Sequence, residues 1–300
     1  MRETLAVVGF APARALPDDP RAVTVQLEPW KPDAACEVWQ VAGPVSTGRA
    51  GPVAWAVGGA WLLASILQPD EGEDLRQTTV AAYRSLVEFL RRHPDFHVQR
   101  IWNYLDRINE GDGDAERYRR FCAGRLEGMT GYFAHGFPAA TAIGHSKSAG
   151  HLQIYCLASR APGQRIENPR QISAWRYPRR YGPVSPSFAR AMRLPAGDAL
   201  AISGTAAIRG HASCHAEDLR AQLDETLTNL ESLRSAGQMT AAFGTRSPLK
   251  AYVRRREDMA AVDAYLAERL PRCPRVLLHA DICRSELLIE IDGWHLAPGT

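Results

Sequence analysis

The chain has 300 residues, of which 45% are hydrophobic and 23% charged, as is typical of a globular protein with one large domain or two smaller ones. A net charge of +3, without any run of five basic residues, argues against a nucleic-acid-binding protein. Only three of the 36 basic residues are lysines. The chain is therefore rich in arginine, whose planar guanidinium can bind a carboxylate through two hydrogen bonds.

The N-terminal third shows neither a leader nor a membrane segment. The opening MRETLAVVGF lacks the long apolar core of a signal peptide, and the six cysteines form no CxxC pair. We therefore expect free thiols and a cytoplasmic location. The most apolar run, residues 53–68, is shorter than a membrane span and is interrupted by Gly58 and Gly59, which favours a β-hairpin.

An internal repeat organises the rest of the chain. The tetrapeptide EDLR starts at Glu73 and again at Glu217, each time after a strand-like run and before an amphipathic helix. Apolar residues line one face of each helix. These are Val80, Tyr83, Val87 and Leu90 in the first helix and Leu219, Leu223, Leu227, Leu230 and Leu233 in the second.

The order of elements after each helix also matches. VQRIWNYLDR and LKAYVRRRED predict short strands, and a second helix and a pair of extended runs follow each of them. The basic cluster 254–256 is interpreted as the start of a solvated helix face. We predict an α+β fold of two tandem repeats, residues 1–160 and 161–300, each a mixed β-sheet with two helices on one face.

Residues 167–195 form an irregular segment near the start of the second repeat. Before Met192 it contains five arginines, two tyrosines, a tryptophan and four prolines, too many prolines for a regular helix or a central strand. Such a segment is suited to presenting guanidinium and phenol groups to an anionic ligand, with the prolines limiting the entropy lost on binding. The alternative for any one of these arginines is a surface ion pair.

These stretches resemble a known family. The second repeat resembles a YjgF/RidA-type unit, and ENPRQISAWRYPRRYGPVSPSFARA, SGTAAIRGH and DICRSELLIEI together resemble the chorismatase family, which includes the 3-hydroxybenzoate synthases. The resemblance is strong over residues 103–292 and vague before residue 53. It implies a degenerate YjgF-like domain in the first repeat and a second repeat that carries most of the active site. It also implies a cofactor-free enzyme that acts on chorismate.

The resemblance implies four residues that bind the substrate. Chorismate carries two carboxylates and a ring hydroxyl, so its site needs two cationic groups and neutral donors. Tyr177 and Arg190 lie in the irregular segment, while Tyr118 and Arg125 are seven residues apart, which places them on one face of a helix. Which of Arg176, Arg179 and Arg180 contact the substrate stays open.

Glu290 is the predicted catalytic acid. It alternates with Ile289 and Ile291 in the last strand, so its side chain points away from theirs. A partly desolvated carboxyl has a raised pKa and can donate a proton, here to the enolpyruvyl methylene carbon. The alternative is an ion pair with an arginine at the edge of the sheet.

Cys283 is the second predicted catalytic residue. In the family, a cysteine here accompanies aromatic products; from the residues alone, a small buried hydrophobe is the alternative. Strict alternation would place it opposite Glu290, so a bulge or bend near Arg284 is required if both line one site. Arg284 either anchors a carboxylate or supports Glu290. Ala206, in SGTAA, would approach the ring and influence where water or a hydroxyl attacks.

A metal site is not predicted. His211, Cys214 and His215 lie close together without a fourth ligand at a standard spacing, which favours a loop and a helix cap. No GxxxxGK[ST] or GxGxxG motif occurs, so neither a phosphate-binding loop nor a dinucleotide site is supported.

Three functions remain in view. The first is cleavage of chorismate to pyruvate and 3-hydroxybenzoate, with 4-hydroxybenzoate as a further product. The second is hydrolysis to pyruvate and a dihydroxycyclohexadiene carboxylate; Cys283 argues against it, and Ala206, which is bulkier than glycine, leaves it open. The third is a YjgF-like metabolite-binding protein without turnover. We expect a monomer, with a trimer as the alternative, because YjgF-like units usually trimerise and a duplicated chain can build the subunit junction internally.

Overall fold

The structure is a computed structural model that describes residues 1–10, 16–31, 36–70, 74–195 and 199–297. Four helices occur in these ranges: α1 (Leu75–Arg91), α2 (Arg117–Gly128), α3 (Leu219–Ala236) and α4 (Met259–Arg269). The strands are β1 (Arg2–Phe10), β2 (Ala22–Val25), β3 (Glu28–Pro29), β4 (Cys36–Ala42), β5 (Val45–Ala50), β6 (Val53–Gly58), β7 (Trp61–Pro69), β8 (His97–Asp106), β9 (Ala139–His145), β10 (His151–Ser159), β11 (Gln164–Ile166), β12 (Ala191–Arg193), β13 (Ala199–Ala206), β14 (Ile208–Arg209), β15 (Ala212–Ser213), β16 (Leu249–Val253), β17 (Arg275–Ile282) and β18 (Ile289–Leu296).

The two halves of the chain repeat one topology. The first runs β6-β7-α1-β8-α2-β9-β10, and the second runs β12-β13-α3-β16-α4-β17-β18 with the additional short hairpin β14-β15 between β13 and α3. In the sheet, the first half has the order β6-β7-β10-β8-β9 and the second the matching order β12-β13-β18-β16-β17. The only parallel pairs among these strands are the equivalent ones, β8 with β9 and β16 with β17. The predicted duplication of an α+β unit is confirmed.

The two halves join in one continuous sheet. Strand β17 pairs antiparallel with β9, from Ala280 opposite His145 to Ile282 opposite Ile143. This junction brings α2 of the first half close to the strands of the second. The predicted division after residue 160 falls between β10 and β11, and it stays a prediction.

The repeated tetrapeptide marks two helix starts. Asp74 caps α1 by accepting hydrogen bonds from the backbone NH groups of Arg76 and Gln77, and Asp218 caps α3 through the NH of Ala221. An aspartate here satisfies NH groups that lack a partner in the first helical turn. The predicted apolar faces are buried against the sheet, except that Leu219 is only half-buried. Glu73 lies outside the described residues.

A separate N-terminal sheet, β2-β1-β4, covers part of the large sheet. Its apolar residues, such as Leu5, Val8 and Phe10, share a buried cluster with Trp102 and Tyr104 of β8. Strands β1, β2 and β4 are therefore an integral layer of the fold. All six cysteines are free thiols, as predicted. No helix in the described ranges is long and apolar enough to cross a membrane.

Candidate active site

A cavity of about 400 Å³ lies between the two halves, which is in the usual size range for small-molecule sites. Its wall combines α2, the irregular segment 167–190, β9, β13 and the residues around the start of β18. All eight predicted site residues line it: Tyr118, Arg125, Tyr177, Arg190, Ala206, Cys283, Arg284 and Glu290. The structure brings them together, while their individual roles stay predictions.

Arg125 enters the cavity from α2 and is 4% exposed. Its Nε donates to the hydroxyl of Tyr83 at 2.8 Å, and its Nη1 to the backbone carbonyl of Ser187 at 2.7 Å. Nη2 is buried and has no hydrogen-bond partner within the described chain. Both acceptors are neutral, so the positive charge of Arg125 is held in place without being neutralised. Such a cation is ready to bind an anion.

Arg190 follows the same pattern from the irregular segment. Its Nη2 donates to the hydroxyl of Tyr177 at 2.6 Å and to the carbonyl of Ile172 at 3.0 Å, and both are again neutral. Its buried Nε lacks a hydrogen-bond partner among the residues described. The guanidinium carbon lies 5.0 Å from the ring centroid of Phe188. Stacking on an aromatic ring orients a guanidinium without cancelling its charge.

Glu290 projects from β18, between β13 and β16, and is 5% exposed. Burial raises the pKa of its carboxyl to about 8; the negative charge of Asp292 adds to the shift, and the charges of Arg100, Arg190 and Arg254 oppose it. No side chain in the described part of the protein donates a hydrogen bond to this carboxyl. At neutral pH it therefore carries a proton, as a general acid must.

Gly204 makes room for that carboxyl. A Cβ atom at this position would lie 1.8 Å from Oε1 of Glu290. The register of β13 against β18 shifts between Ile202 and Thr205, so Gly204 lies in a bulge, and its NH donates to Oγ1 of Thr141 at 2.9 Å. The sequence predicted that small residues here approach the substrate; in the structure, Gly204 accommodates Glu290, and Ala206 pairs with Glu290 in register.

Cys283 lies just beyond the end of β17 at Ile282, and a turn separates it from Ile289, where β18 begins. This turn is the bend near Arg284 that the sequence required. Burial raises the pKa of the thiol well above its usual range, and the charge of Glu290 reinforces the shift. Cys283 is therefore a neutral thiol that faces the same cavity as the acid.

Tyr118 and Cys122 extend this apolar part of the wall from α2. Burial raises the pKa of both groups, that of Cys122 to about 12, so both are neutral at physiological pH. Besides burial, the charges of Cys122, Cys283 and Glu290 raise the pKa of Tyr118. Cys122 was missed by the sequence analysis, although its spacing of four residues from Tyr118 places it on the same helical face.

Arg284 forms part of the cavity rim. Its Nη1 donates to the carbonyl of His211 at 2.9 Å and to Oγ of Ser213 at 3.0 Å, and its guanidinium carbon lies 4.1 Å from the ring centroid of Tyr181. None of its described hydrogen bonds reaches Glu290. Arg284 therefore does not support Glu290 through a described hydrogen bond. Its role as an anchor for a carboxylate of the substrate stays a prediction.

Of the three arginines whose contact with the substrate the sequence leaves open, Arg176, Arg179 and Arg180, only one lines the cavity. Arg180 lines the cavity and contacts Nδ1 of His211 at 2.8 Å. Arg179 forms an exposed ion pair with Asp114, and Arg176 is exposed and does not line the cavity. Among the described residues, no cluster of three histidine, cysteine, aspartate or glutamate side chains is placed to hold a metal ion.

Arg254 was misjudged from the sequence. It was assigned to a solvated helix face, but the helix begins only at Met259, and the side chain of Arg254 is 15% exposed. Its guanidinium donates to the carbonyls of Ile282, Arg284 and Leu287 at 2.7 to 2.9 Å and so holds the turn that carries Cys283. A cluster of three arginines gave no signal that distinguished this one.

Comparison with known proteins gives a consistent result. Residues 37–158 match the family described as "Chorismatase FkbO/Hyg5-like, N-terminal". A 3-hydroxybenzoate synthase of Streptomyces hygroscopicus is 37% identical over 276 residues, which cover 86% of this chain and 80% of the relative. A chorismatase of Streptomyces rapamycinicus is 37% identical over 278 residues, covering 87% and 82%. A crystal structure of a chorismatase is similar with a TM-score of 0.86 and 34% identity, over 98% of this chain and 93% of that one.

Proposed function

This chain belongs to the chorismatase family, and from that premise we propose that it cleaves the enolpyruvyl ether of chorismate to pyruvate and 3-hydroxybenzoate. The observation that carries the proposal is the combination of charges in one cavity. A buried, protonated Glu290 faces the same space as Arg125 and Arg190, two cations whose described hydrogen-bond acceptors are all neutral. A dianionic substrate that needs a proton at carbon matches this combination.

Binding would use the two arginines for the two carboxylates. Nη2 of Arg125 and Nε of Arg190 are buried NH groups without a partner in the described structure, and a bound carboxylate supplies the acceptor that each lacks. The neutral hydroxyls of Tyr118 and Tyr177 line the same cavity and can orient the ring. Tyr83 and Tyr177 already hold the two guanidinium groups in place. Binding of chorismate therefore costs little ordering of these side chains, which favours affinity.

The first chemical step would be protonation of the methylene carbon. The π electrons of the enolpyruvyl group take the proton of Glu290, which leaves an oxocarbenium-like centre and an ionised carboxylate. The neighbouring ring hydroxyl then attacks the ring carbon of the ether and gives up its proton, so the ether bond breaks with its electrons moving to oxygen, pyruvate leaves as a ketone and an epoxide forms on the ring. The epoxide opens with its oxygen kept on the carbon that carried the ether; this oxygen gains a proton and the neighbouring carbon loses one, which gives 3-hydroxybenzoate with no net consumption of water or protons. Loss of the ring proton without this attack would give 4-hydroxybenzoate instead.

Cys283 would act after the ether is activated. It is a neutral thiol beside Glu290 in the apolar part of the wall, which limits attack by water on the ring. We assign it to the partition between aromatic products and the dihydroxycyclohexadiene acid. The second candidate function is hydrolysis to that acid, which is favoured by the two relatives named chorismatase.

The cellular setting follows the same proposal. Six free thiols fit a reducing compartment, and we assign the enzyme to the cytoplasm. We also propose a monomer, since the N-terminal sheet covers a face of the large sheet that would otherwise need a partner. Light scattering at several protein concentrations tests the oligomeric state; a stable trimer would overturn the proposal.

The function is tested by incubating the purified protein with chorismate and resolving the products by chromatography. We expect pyruvate and 3-hydroxybenzoate in equal amounts, and 4-hydroxybenzoate as the isomer to look for. The diene acid as the main product would establish hydrolysis instead. Binding without turnover would establish a metabolite-binding protein and refute the enzyme proposal.

A further inference from the structure

A buried charge cluster lies next to Glu290 in the fold. Arg100 and Asp292 are both fully buried, and Nη2 of Arg100 donates to Oδ2 of Asp292 at 3.0 Å. Lys250, 3% exposed, lies with Nζ 3.5 Å from Oδ1 of Asp292. Oδ2 of Asp292 also accepts hydrogen bonds from Trp102 at 3.1 Å and from Tyr252 at 3.2 Å. Burial of this many charges is costly unless they balance.

The fourth charge comes from the N-terminal sheet. Glu37, at the start of β4, accepts a hydrogen bond from Nζ of Lys250 at 2.6 Å. Its side chain is 19% exposed, so this carboxylate is the member of the cluster nearest to solvent. The cluster thus contains two cations, Arg100 and Lys250, and two anions, Asp292 and Glu37. It is balanced without any charge on Glu290.

The cluster is coupled to the acid by position. Asp292 follows Glu290 by two residues in β18, so the two side chains point to the same face of the sheet. In β16, Tyr252 is the register partner of Glu290, and Lys250 is the partner of Asp292. Thr141 links the two sites, since its hydroxyl donates to Asp292 at 2.8 Å and accepts from the NH of Gly204.

We propose, building on the assignment of Glu290 as the acid, that this cluster keeps Glu290 protonated and that Glu37 completes it from the N-terminal sheet. An ionised Glu290 would add an unmatched negative charge beside a balanced group, which low-dielectric surroundings disfavour. Glu37 is therefore a positioning residue that acts through Lys250 and Asp292. It gives the N-terminal sheet a part in the chemistry.

Other groups that face Glu290 also influence the pKa of its carboxyl. They are Tyr118 from α2, Arg190 from the irregular segment, Arg254 after β16 and Cys283 before β18. The phenol and the thiol are neutral because burial raises their pKa values. Arg190 and Arg254, together with Arg100 of the cluster, favour the ionised carboxylate, whereas burial and the negative charge of Asp292 favour the protonated form. Burial and the anions of the cluster must therefore outweigh these cations.

Substitutions at the two ends of the cluster should act in opposite directions. Glu37→Gln removes an anion, leaves the cluster with net positive charge and favours ionised Glu290. Lys250→Gln removes a cation, leaves net negative charge and favours the protonated form. We measure kcat/KM for pyruvate release against pH. The alkaline loss of activity should shift down by about half a pH unit to one unit in Glu37→Gln and upward in Lys250→Gln.

Glu28→Gln is the matched control. Glu28 also comes from the N-terminal region and pairs with Arg256, with a side chain 27% exposed, but it lies outside the cluster. This variant should leave the pH profile in place. Circular dichroism and thermal unfolding establish that each variant folds. If Lys250→Gln does not fold, Glu37→Gln decides alone, because its amide preserves the shape of a partly exposed side chain.

The outcomes separate this inference from the proposed function. If Glu290→Gln keeps wild-type activity, the assignment of the acid is wrong, and the inference falls with it. If Glu290→Gln is inactive but Glu37→Gln leaves the alkaline limb unmoved, the acid stands and the inference alone is overturned. A shift in Glu37→Gln equal to that in Glu28→Gln would mean a general charge effect and would also overturn it.

Discussion

Four of the described arginines are buried, and they form two pairs with opposite surroundings. In the framework, Arg100 is paired with Asp292 and Arg117 with Asp70, so each cation meets a carboxylate. In the cavity, the guanidinium hydrogen bonds of Arg125 and Arg190 reach only hydroxyl and carbonyl oxygens, although the charge of Arg190 also acts on the Glu167 carboxyl and opposes the rise of its pKa. The difference teaches that burial alone does not mark a functional arginine. We propose that a functional arginine is marked instead by a buried guanidinium whose described hydrogen-bond acceptors are neutral.

Glu290 completes this comparison from the anionic side. It is a buried carboxyl that accepts no hydrogen bond within the described chain, and its pKa is raised to about 8. The framework carboxylate of Asp106, by contrast, accepts hydrogen bonds from His145, Ser148, Ala149 and Gly150, and its pKa is lowered. We propose that the carboxyl of Glu290, which has no such partners, is available for the substrate, whereas Asp106 stabilises the fold.

The largest expected effect is that of Glu290→Gln. The amide keeps the shape of the side chain and removes the proton, so pyruvate release should fall by about 10²- to 10⁴-fold. Substrate affinity should change little, because the two arginines are intact. Single-turnover pyruvate release and equilibrium binding of chorismate check the two parts. A loss of affinity equal to the loss of rate would assign Glu290 to binding.

Next come the arginine substitutions, which contrast the two pairs directly. Arg125→Ala and Arg190→Ala should each weaken chorismate binding by about 2–4 kcal/mol, the scale for removing one partner of a desolvated charge pair. Arg117→Ala should instead lower the free energy of unfolding by about 3–5 kcal/mol, since it leaves the Asp70 carboxylate without its arginine.

Denaturant unfolding and chorismate titration of the three arginine variants separate these effects. If Arg125→Ala and Arg190→Ala keep wild-type KM and kcat, the distinction between framework and cavity arginines is wrong. The same conclusion follows if Arg117→Ala loses affinity but no stability.

A smaller effect is expected at Gly204. Gly204→Ala places a methyl group where Oε1 of Glu290 lies, and the obstructed atom is the end of a flexible side chain. The fold should therefore survive, with the acid displaced, and kcat should fall by about 10- to 100-fold. Thermal unfolding together with kcat checks this. Unchanged kcat would show that the position of the carboxyl is not critical.

The smallest effect on rate is expected from Cys283→Ala, which should release pyruvate within a few-fold of the wild-type rate. Its ring products should shift from 3-hydroxybenzoate towards the 4-isomer or the diene acid. Chromatography of pyruvate and ring products in parallel tests this. An unchanged product spectrum would make Cys283 a packing residue, and an equal loss of pyruvate would place it in the first step.

Helical periodicity explains what the sequence could predict. The spacing of Tyr118 and Arg125 depends on local geometry alone, and the repeated aspartate of EDLR caps α1 and α3 by local hydrogen bonds. The topology was predicted from the matching order of strands and helices in the two repeats. Tyr177 and Arg190 lie in irregular backbone, so their place in the site came from the family resemblance.

The remaining features depend on contacts between distant strands. The fit of Gly204 around Glu290 requires the bulged pairing of β13 with β18, and the coupling of Glu37 to Lys250 spans 213 positions. Arg254 looked like its neighbours in the cluster 254–256, and only the fold assigns it to the turn before β18. No local pattern encodes these contacts, so the sequence alone did not predict them.

The pH dependence of pyruvate release in a single turnover tests most directly whether Glu290 acts as a neutral acid. Its carboxyl must be protonated to donate, and its pKa is raised to about 8, so the rate should be constant at neutral pH and fall as pH rises through that value. The residual activity of Glu290→Gln should lack this fall. A wild-type rate that instead rises through the same range would mean that the ionised carboxylate is the active form, and it would contradict the assignment of Glu290 as the acid.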